Sequence, residues 1–461
     1  MIPRQDHRPD QRPVTPGEPD PARLLRLDRL LDTVARALYA TLLRLAVPAY
    51  LWRLWRRGKT EAGYRFRLQE RLAIYPGRQP MPGALWLHAV SLGETRAAMP
   101  LVDALRQAQP DMRMLLTHGT ATGRAAGRKL MHESDGQVWL PLDTPGAARR
   151  FFKHFRPSVG VLMETELWPC LMREAQKAGV PIVMANARLS ERSARQGQRW
   201  SALMHPAAQR LALVLAQTAD DARRLRDAGA LRVMVSGNLK FDMTPPPGLL
   251  AQGQQWRQAL DRPVVLAAST REGEEGPLLA AWAARPAPRP LLILVPRHPQ
   301  RFDEVAALVR MQGLACLARS TWGDQPPAEA ALADVWMGDT MGEMPLYYAC
   351  ADVALLGGSF APLGGQNLIE AAACGCPVVM GPHTFNFAQA AKQAQAAGAA
   401  KRVADIGQGV IEAITLSRRA DRPTWVQNAL EFAHAHRGAA ALMAQQIWHR
   451  SRPFGEAASD I

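Results

Sequence analysis

The sequence predicts an α/β protein built from two doubly wound parallel sheets. Between residues 84 and 236, short apolar runs alternate with helical patterns, which is typical of parallel strands joined by helical crossovers. The Pro-rich segment 244-TPPPG-248 then interrupts the alternation, since such a segment neither pairs in a sheet nor continues a helix. The predicted strands begin at Leu85, Met112, Gln137, Val159, Val180, Leu211 and Arg232 before this segment, and at Pro263, Pro290, Asp334, Asp352 and Pro377 after it.

Length and composition agree with two globular domains in a reducing compartment. The chain has 461 residues, 48% hydrophobic and 21% charged, which suits two packed cores rather than a disordered protein. Its five cysteines are an odd number without zinc-like or CxxC spacing, and so favour packing roles. The formal net charge is +15, and residues 1–80 carry sixteen Arg and Lys against eight Asp and Glu. Over half of the excess positive charge therefore lies in the first sixth of the chain.

The basic N-terminal region divides into two parts. Residues 1–21 are rich in proline and charge, and are predicted to be disordered. Residues 24–57 are apolar with interleaved arginines, but the longest uncharged run, Leu45–Trp52, is shorter than the roughly 20 residues that a span requires. No small-residue cleavage site follows, so a signal peptide is not indicated either.

An amphipathic helix on an anionic membrane surface fits this composition best. Trp52 and Trp55 would lie at the headgroup level, and the basic residues would meet lipid phosphates. These basic residues are Arg53, Arg56, Arg57 and Lys59. The alternative is a helix packed on its own domain with a solvated basic face. The predicted divisions are a basic, partly disordered extension 1–37, a membrane-associated helix 38–60, an N-terminal domain 61–243, a linker 244–248 and a C-terminal domain 249–461 with closing helices.

The second domain contains a glycine-rich loop that leads into a helix. Gly357-Gly358 ends a predicted strand, Gly364-Gly365 forms a flexible turn, and Asn367 opens a helix with Glu370 one turn later. Glycines allow backbone N–H groups to approach an anion, and a helix start favours a phosphate. The alternative, Asn367 as a helix cap with Glu370 completing a capping box, does not explain the glycines. We therefore predict a nucleotide-phosphate site.

Two further segments are predicted to reach the same edge of this sheet. Met341-Gly342-Glu343 follows one predicted strand as a second helix start, and Pro296 and Arg297 follow another. Arg297 is a candidate for a bidentate phosphate contact, or else a surface arginine in a loop.

In the first domain, carboxylates follow two predicted strands. Glu94 lies in the turn after the first strand, and Glu164 and Glu166 follow the fourth. Carboxylates at strand ends are candidates for acid–base work, although Glu166 also suits the first turn of a helix. Lys240 places a cation near the predicted linker. No Asp-x-Asp, HExxH, GxSxG, Walker A or GxGxxG motif occurs, so neither a metal nor a further cofactor is predicted.

The segments HAVSLGE, METELWP, NARLSERS, SGNLKFD, LVPRHPQRF, GDTMGE and GPHTFNF occur in this order. Together they resemble the 3-deoxy-D-manno-octulosonic acid (Kdo) transferases, the lipid A glycosyltransferases of Gram-negative bacteria. The resemblance runs from about residue 38 to the end. It implies a GT-B fold with two domains facing a central cleft, and inverting, metal-independent transfer of Kdo from CMP-Kdo. The implied acceptor is a lipid A precursor (lipid IVA), at the cytoplasmic side of the cell inner membrane in lipopolysaccharide biosynthesis.

The resemblance also implies roles for matching residues. Glu94 corresponds to the proton acceptor, and Glu164 and Lys240 correspond to transition-state stabilisers. The CMP-binding positions are Pro296, Arg297, Met341, Gly342, Glu343, Asn367, Leu368, Ile369 and Glu370. Relatives often have His-Asn-Pro-Leu-Glu where this chain has Gln366 to Glu370, so an imidazole contact is missing. The N-terminal domain would take the acceptor and the C-terminal domain the CMP-sugar.

Ser91 and Glu94 have capping-box spacing, and a helix start favours the charged form of a carboxylate. We therefore expect Glu94 to be ionised near neutral pH. We also expect that only the first domain places a carboxylate of its own at the helix start where an anionic ligand could bind. A GT-B enzyme that uses a UDP-sugar remains an alternative. Nucleic-acid binding is disfavoured, because the N-terminal arginines alternate with Leu, Val, Ala and Trp at helical spacing.

Overall fold

The structure, a computed structural model, describes residues 21–451, with side chains from residue 33 onward. The predicted disorder of residues 1–20 lies outside the described residues. The chain forms two compact units, of which the first comprises residues 21–96, 109–236 and 445–451 and the second residues 97–108 and 237–444. The predicted division at 244–248 stays a prediction.

The first unit contains a parallel sheet of seven strands. Its strands are β1 Leu85–His88, β2 Met114–His118, β3 Gly136–Trp139, β4 Val159–Met163, β5 Ile182–Ala187, β6 Leu213–Ala216 and β7 Val233–Val235. They lie in the order β3-β2-β1-β4-β5-β6-β7, and β1 pairs directly with β4. The order reverses between β1 and β4, and ligands of doubly wound sheets bind at such a point, outside the carboxyl ends of the strands.

The second unit contains another parallel sheet of seven strands. They are β8 Val264–Thr270, β9 Leu291–Pro296, β10 Cys316–Ala318, β11 Val335–Met337, β12 Val353–Leu356, β13 Val378–Met380 and β14 Ala400–Arg402. The order is β10-β11-β9-β8-β12-β13-β14, so the reversal falls between β8 and β12. The two doubly wound parallel sheets predicted from the sequence are confirmed.

Only short 3₁₀ turns lie between β10 and β11, whereas every other pair of consecutive strands in the described residues is connected by α-helices. The α-helices are α1 Pro21–Arg57, α2 Leu92–Ala97, α3 Met99–Ala108, α4 Ala121–Gly127, α5 Pro145–Phe155, α6 Pro169–Lys177, α7 Glu191–Gln198, α8 Ser201–Gln209, α9 Ala219–Asp227, α10 Pro247–Gln258, α11 Glu275–Ala283, α12 Phe302–Met311, α13 Met344–Cys350, α14 Leu368–Ala373, α15 Ala388–Ala396, α16 Ile406–Ser417, α17 Arg422–Ala435 and α18 Ala439–Trp448. Short 3₁₀ turns at Leu68–Leu72 and Leu239–Asp242 carry residues of the candidate site.

Helix α5 shows how local sequence and packing agree in the first unit. The Thr144 side chain caps its first turn and Pro145 occupies the first helical position. Phe151 and Phe155, one turn apart, are both buried against the sheet, and the Phe151 ring lies edge-on to Trp86 with centroids 5.0 Å apart. Burial of each phenyl ring contributes about 1.5–3 kcal/mol. Gly160 of β4 makes room, because a Cβ there would lie 2.6 Å from the Trp86 ring.

Helix α1 presents an apolar stripe to solvent. Six large side chains that share one helix face are 48–74% exposed, namely Val34, Leu38, Leu42, Leu45, Trp52 and Trp55. The opposite face buries Ala40 and Leu54 and packs against α6 and α8. Within the helical segment Thr33–Arg57, an 18-residue window reaches a mean hydropathy of 1.2, so by length and composition the helix could cross a membrane. The helix thus meets a length and composition criterion that its longest uncharged run does not meet, and the predicted position on the membrane surface stays a prediction.

Candidate active site

Glu94 lies in the first turn of α2, directly after β1. Its Oε2 accepts a hydrogen bond from the Val90 amide at 2.8 Å, and its Oε1 accepts one from Ser91 Oγ at 2.9 Å. The Glu94 amide in turn donates to Ser91 Oγ at 3.3 Å. The Ser91–Glu94 pair predicted from the spacing is therefore present, and it fixes the carboxylate at the carboxyl end of β1.

Glu94 is only partly ionised at neutral pH, whereas the helix start alone led us to expect the ionised form. Burial raises the pKa of Glu94 to about 7, and the nearby charges of Glu164 and Glu166 add to this increase. The hydrogen bonds from Val90 and Ser91 oppose the increase without cancelling it. The cost of removing the charge from water thus exceeds the benefit of the helix start. A carboxylate that titrates near neutral pH is suited to act as a general base.

Glu164 and Glu166 lie in the segment after β4, beside Glu94. Glu164 has a φ of +59°, a backbone conformation that is uncommon for non-glycine residues and that clusters at functional sites. Helix α6 begins only at Pro169, so the alternative of Glu166 in a helical first turn is wrong. Burial raises the pKa of Glu166, and Glu164 raises it further. The topology thus brings three carboxylates together where the strand order reverses, as their positions after two strands predicted.

We expect Ser91→Ala to move the pH dependence of activity upward. The Ser91 hydroxyl lowers the pKa of Glu94 by donating to its carboxylate, so its loss should raise that pKa further. The acidic limb of a kcat/KM profile, expected at about pH 7 in the parent protein, should then shift by roughly one pH unit or less. Ser190→Ala, which removes the cap of α7, is the control and should leave the limb in place. If the acidic limb does not shift in Ser91→Ala, Glu94 is not the group whose titration produces it.

Lys240 belongs to the second unit and sits in the 3₁₀ turn Leu239–Asp242. The Asn238 side chain accepts a hydrogen bond from the Lys240 amide at 3.0 Å and so caps the turn. The Lys240 ammonium lies over the Phe387 ring, 4.4 Å from its centroid. The side chain is half-buried, which holds the cation against an apolar surface.

A buried glutamate that sequence inspection missed organises the glycine-rich loop. Glu274, 3% exposed, accepts four backbone hydrogen bonds at the point where the second sheet reverses its strand order. The donors are the amides of Arg271 at 2.9 Å, Gly358 at 2.7 Å, Phe360 at 3.1 Å and Ala361 at 3.2 Å. These amides precede the start of α14, so the expectation that only the first domain fills its anion site with an acid stays a prediction.

Asn367 lies just beyond this loop and keeps an unused acceptor. It precedes α14 but its side chain makes no capping hydrogen bond, so the capping-box alternative is wrong. Its Oδ1 atom is buried and has no hydrogen-bond partner among the described residues. Leu368 and Ile369 are each 1% exposed, while Glu370 is half-buried in the first turn of α14. Only Asn367 and Glu370 of this segment therefore offer polar side chains to a ligand.

The other predicted CMP-binding residues also follow strands of the second sheet. Pro296 is the last residue of β9 and is buried, and the Arg297 side chain is exposed directly after it. Met341 is 64% exposed, and Gly342 has a φ of +92°. The Glu343 carboxylate is held by partners within the unit, which are Arg319 at 2.9 Å, Tyr347 at 3.0 Å and Thr340. Glu343 thus shapes the segment before α13.

Arg271 is a second residue that sequence inspection missed. It follows β8 as Arg297 follows β9, and its Nε atom is buried without a hydrogen-bond partner in the described part of the chain. Desolvation lowers the pKa of His298, and the charges of Arg271, Arg297 and Arg301 lower it further. Positive charge therefore collects at the carboxyl ends of two adjacent strands. The sequence could have indicated Arg271, because an arginine directly follows each of the apolar runs that form β8 and β9.

Within the described residues, no group of three or more His, Cys, Asp or Glu side chains is placed to hold a metal ion.

Comparison with known proteins identifies the family. A family model described as 3-Deoxy-D-manno-octulosonic-acid transferase (kdotransferase) matches residues 66–243. The Bordetella pertussis 3-deoxy-D-manno-octulosonic acid transferase is 47% identical over 421 residues, which cover 88% of this chain and 97% of that protein. The chain belongs to the Kdo transferase family. The Haemophilus influenzae Kdo transferase is 36% identical over 76% of this chain and 83% of its own length.

The solved structures agree with a GT-B fold. Anabaena HepE in complex with UDP matches this chain with a TM-score of 0.54 at 15% identity, covering 80% of this chain and 98% of that one. At such low sequence identity, the match is evidence for the fold alone. The Kdo transferase is therefore a glycosyltransferase of the GT-B class, and its family name implies a role in lipopolysaccharide biosynthesis. The resemblance predicted from the sequence motifs is confirmed.

Proposed function

We propose that the protein transfers Kdo from CMP-Kdo to a lipid A precursor, lipid IVA, with inversion of the anomeric configuration. The observation that carries the proposal is Glu94, placed after β1 among coupled carboxylates in a chain of the Kdo transferase family. Its raised pKa, about 7, gives a base that is available at neutral pH and able to hold a proton during the reaction.

In the proposed reaction, a glucosamine hydroxyl of the acceptor attacks the anomeric ketose carbon of Kdo. Glu94 accepts the hydroxyl proton as the new carbon–oxygen bond forms. The bond from the anomeric carbon to the CMP phosphate breaks, and its electron pair leaves with CMP. Attack on the face opposite to CMP gives inversion. Glu164 would stabilise the positive charge that develops on the sugar.

The second unit is proposed to hold the donor. Arg297 would contact the CMP phosphate, and the Asn367 Oδ1 atom, buried and unpartnered among the described residues, would accept a hydrogen bond from the nucleotide. Lys240 would offset negative charge on the leaving phosphate. Pro296, the segment 341–343 and the remaining residues of 367–370 would complete the surface for CMP. We propose that these cations make a divalent metal unnecessary.

The exposed stripe of α1 is proposed to bind the cytoplasmic side of the inner membrane. Trp52 and Trp55 would lie at the headgroup level, and Arg56, whose guanidinium lies 5.5 Å from the centre of the Trp52 ring, would meet lipid phosphates. Because the opposite face of α1 packs on the protein, an interfacial position leaves that packing intact.

Mass spectrometry of the reaction of CMP-Kdo with lipid IVA tests the proposal. We expect a product heavier by Kdo that also forms in EDTA, and we expect CMP but not UDP to raise the melting temperature. Protection by UDP with no Kdo product would support the alternative GT-B enzyme that uses a UDP-sugar. Salt-sensitive binding to anionic liposomes, without binding to duplex DNA, would support the membrane partner over a nucleic acid.

A further inference from the structure

The first unit contains a cavity of about 440 Å³ at the carboxyl edge of its sheet. One wall is the face of α1 opposite the exposed stripe, with Leu43, Val47 and Tyr50. The other walls are the ends of β1 to β4 and the segments that follow them. The size is that of a ligand site, and most of the surface is apolar. The proposed mechanism assigns nothing to this cavity.

A buried arginine lines this cavity without a carboxylate partner. Arg71 is 4% exposed, and its guanidinium donates to the carbonyls of Gly119 at 2.7 Å, Leu140 at 3.4 Å and His118 at 3.5 Å. Its Nε atom has no hydrogen-bond partner, and no carboxylate lies within ion-pair distance among the described residues. Desolvation lowers the pKa of Arg71 to about 10. A buried arginine without a carboxylate partner favours the binding of an anionic ligand.

The carboxylate that acts electrostatically on Arg71, that of Glu70, is already occupied. Glu70, fully buried, accepts from Arg124 at 2.9 Å and Arg78 at 3.2 Å, as well as from the Trp139 amide at 3.0 Å. Its charge is therefore satisfied by two other arginines. Arg71 instead stacks on the Trp139 ring at 4.2 Å from the centroid, which fixes the guanidinium in place.

A histidine adds a second unused polar atom to the cavity. His88, fully buried at the end of β1, bonds through Nδ1 to the Thr117 carbonyl at 3.1 Å. Nδ1 also lies 2.9 Å from Thr117 Oγ1, so both of its neighbours belong to Thr117. Nε2 is buried and has no hydrogen-bond partner in the described residues. Burial lowers the pKa of His88 to about 3, so the ring stays neutral.

The cavity adjoins the proposed base. Val90 lines it, and the Val90 amide donates to Glu94 Oε2 at 2.8 Å. Glu166 also lines it and is coupled electrostatically to Glu94. The cavity therefore offers a cation, an unpartnered ring nitrogen and an apolar wall beside the proposed base.

We propose that this cavity binds the phosphorylated, acylated sugar of the acceptor, with Arg71 contacting a phosphate oxygen and His88 Nε2 forming a hydrogen bond with a hydroxyl. The α1 wall contacts an acyl chain. Exposed Arg53 and Arg57, which also line the cavity, attract the phosphate toward it. This inference rests on the proposed function and identifies the acceptor-binding residues that the proposal leaves open.

The test compares a tetra-acylated, doubly phosphorylated lipid A precursor with the same lipid after removal of its phosphates. In the parent protein, phosphate removal should raise the acceptor KM about 10- to 100-fold. In Arg71→Gln the two lipids should have similar KM values, the KM for CMP-Kdo should be unchanged, and Arg71→Lys should restore part of the difference. His88→Asn, which keeps the Nδ1 contact but lacks Nε2, should raise the KM for both lipids.

Several outcomes would overturn this inference while Kdo transfer itself persists. One is equal use of the two lipids by the parent protein. Another is an equal loss on both lipids in Arg71→Gln, which would indicate a structural role only. A third is loss of the phosphate preference when excess phosphatidylglycerol or inorganic phosphate is added, which would assign the site to another phosphate source. Absence of any Kdo transfer would instead contradict the proposed function.

Discussion

Replacing Glu94 by glutamine should lower kcat for Kdo transfer by about 10²- to 10⁴-fold or more, without preventing CMP binding. Glutamine has nearly the same shape and can still accept from the Val90 amide, so the turn after β1 should keep its conformation. It cannot accept the proton of the attacking hydroxyl. Steady-state transfer assays give kcat, and thermal shift with CMP reports on the donor site.

The pH profile separates a base from a positioning role. Glu94 has a raised pKa of about 7, so activity in the parent protein should fall as pH decreases through that value. The residual activity of Glu94→Gln should lack this dependence. Glu133→Gln, at an exposed glutamate of the same unit, is the matched control and should behave like the parent protein. Near-normal transfer in Glu94→Gln would remove Glu94 from the mechanism.

Replacing Glu274 by glutamine should destabilise the second unit and weaken CMP binding. One carboxylate oxygen accepts from the amides of Arg271 and Gly358, and the other from those of Phe360 and Ala361. In either orientation a glutamine NH₂ group faces two N–H donors, which leaves both unsatisfied. At about 1–3 kcal/mol for each unsatisfied group, we expect a loss of roughly 2–6 kcal/mol in the free energy of unfolding.

Calorimetry and CMP titration measure these effects. A loss of this size corresponds to a decrease of roughly 4–24 °C in melting temperature, at about 2–4 °C for each kcal/mol in a unit of this size. CMP affinity should fall because the loop that leads to Asn367 is no longer fixed. Glu272→Gln, two residues away and exposed, is the control for the loss of one negative charge. If Glu274→Gln melts and binds CMP like Glu272→Gln, the carboxylate does not organise the loop.

Most of the fold was predictable because its strands are buried on both faces. Runs such as that of β4, in which every residue is buried, stand out from the helical patterns around them. The edge strands β10 and β14 were missed. Each has only three residues, and neither Cys316–Ala318 nor Ala400–Arg402 is buried throughout. A short, partly exposed strand has too few apolar residues to produce a recognisable run.

The positions of site residues that directly follow strands could be predicted from the sequence. Properties that depend on burial or on distant hydrogen-bond partners could not. Glu94 and Glu164 lie together because β1 and β4 pair, which follows from the topology of a doubly wound sheet. The raised pKa of Glu94 depends on desolvation, which no spacing reveals. Glu274 bonds to Gly358, 84 residues away, so its partner is known only once β8 and β12 are adjacent.

Helix α1 has an exposed apolar stripe on one face and lines the cavity with the other, and this affects how rates should be measured. If its outer surface lies among phospholipid headgroups while its inner surface bounds the acceptor cavity, the enzyme meets its lipid substrate by lateral diffusion. Turnover should then follow the mole fraction of acceptor in the bilayer, and dilution with inert phospholipid should slow it at constant bulk concentration. Shortening the chain to begin after Arg57 would abolish activity toward the lipid yet preserve nucleotide recognition.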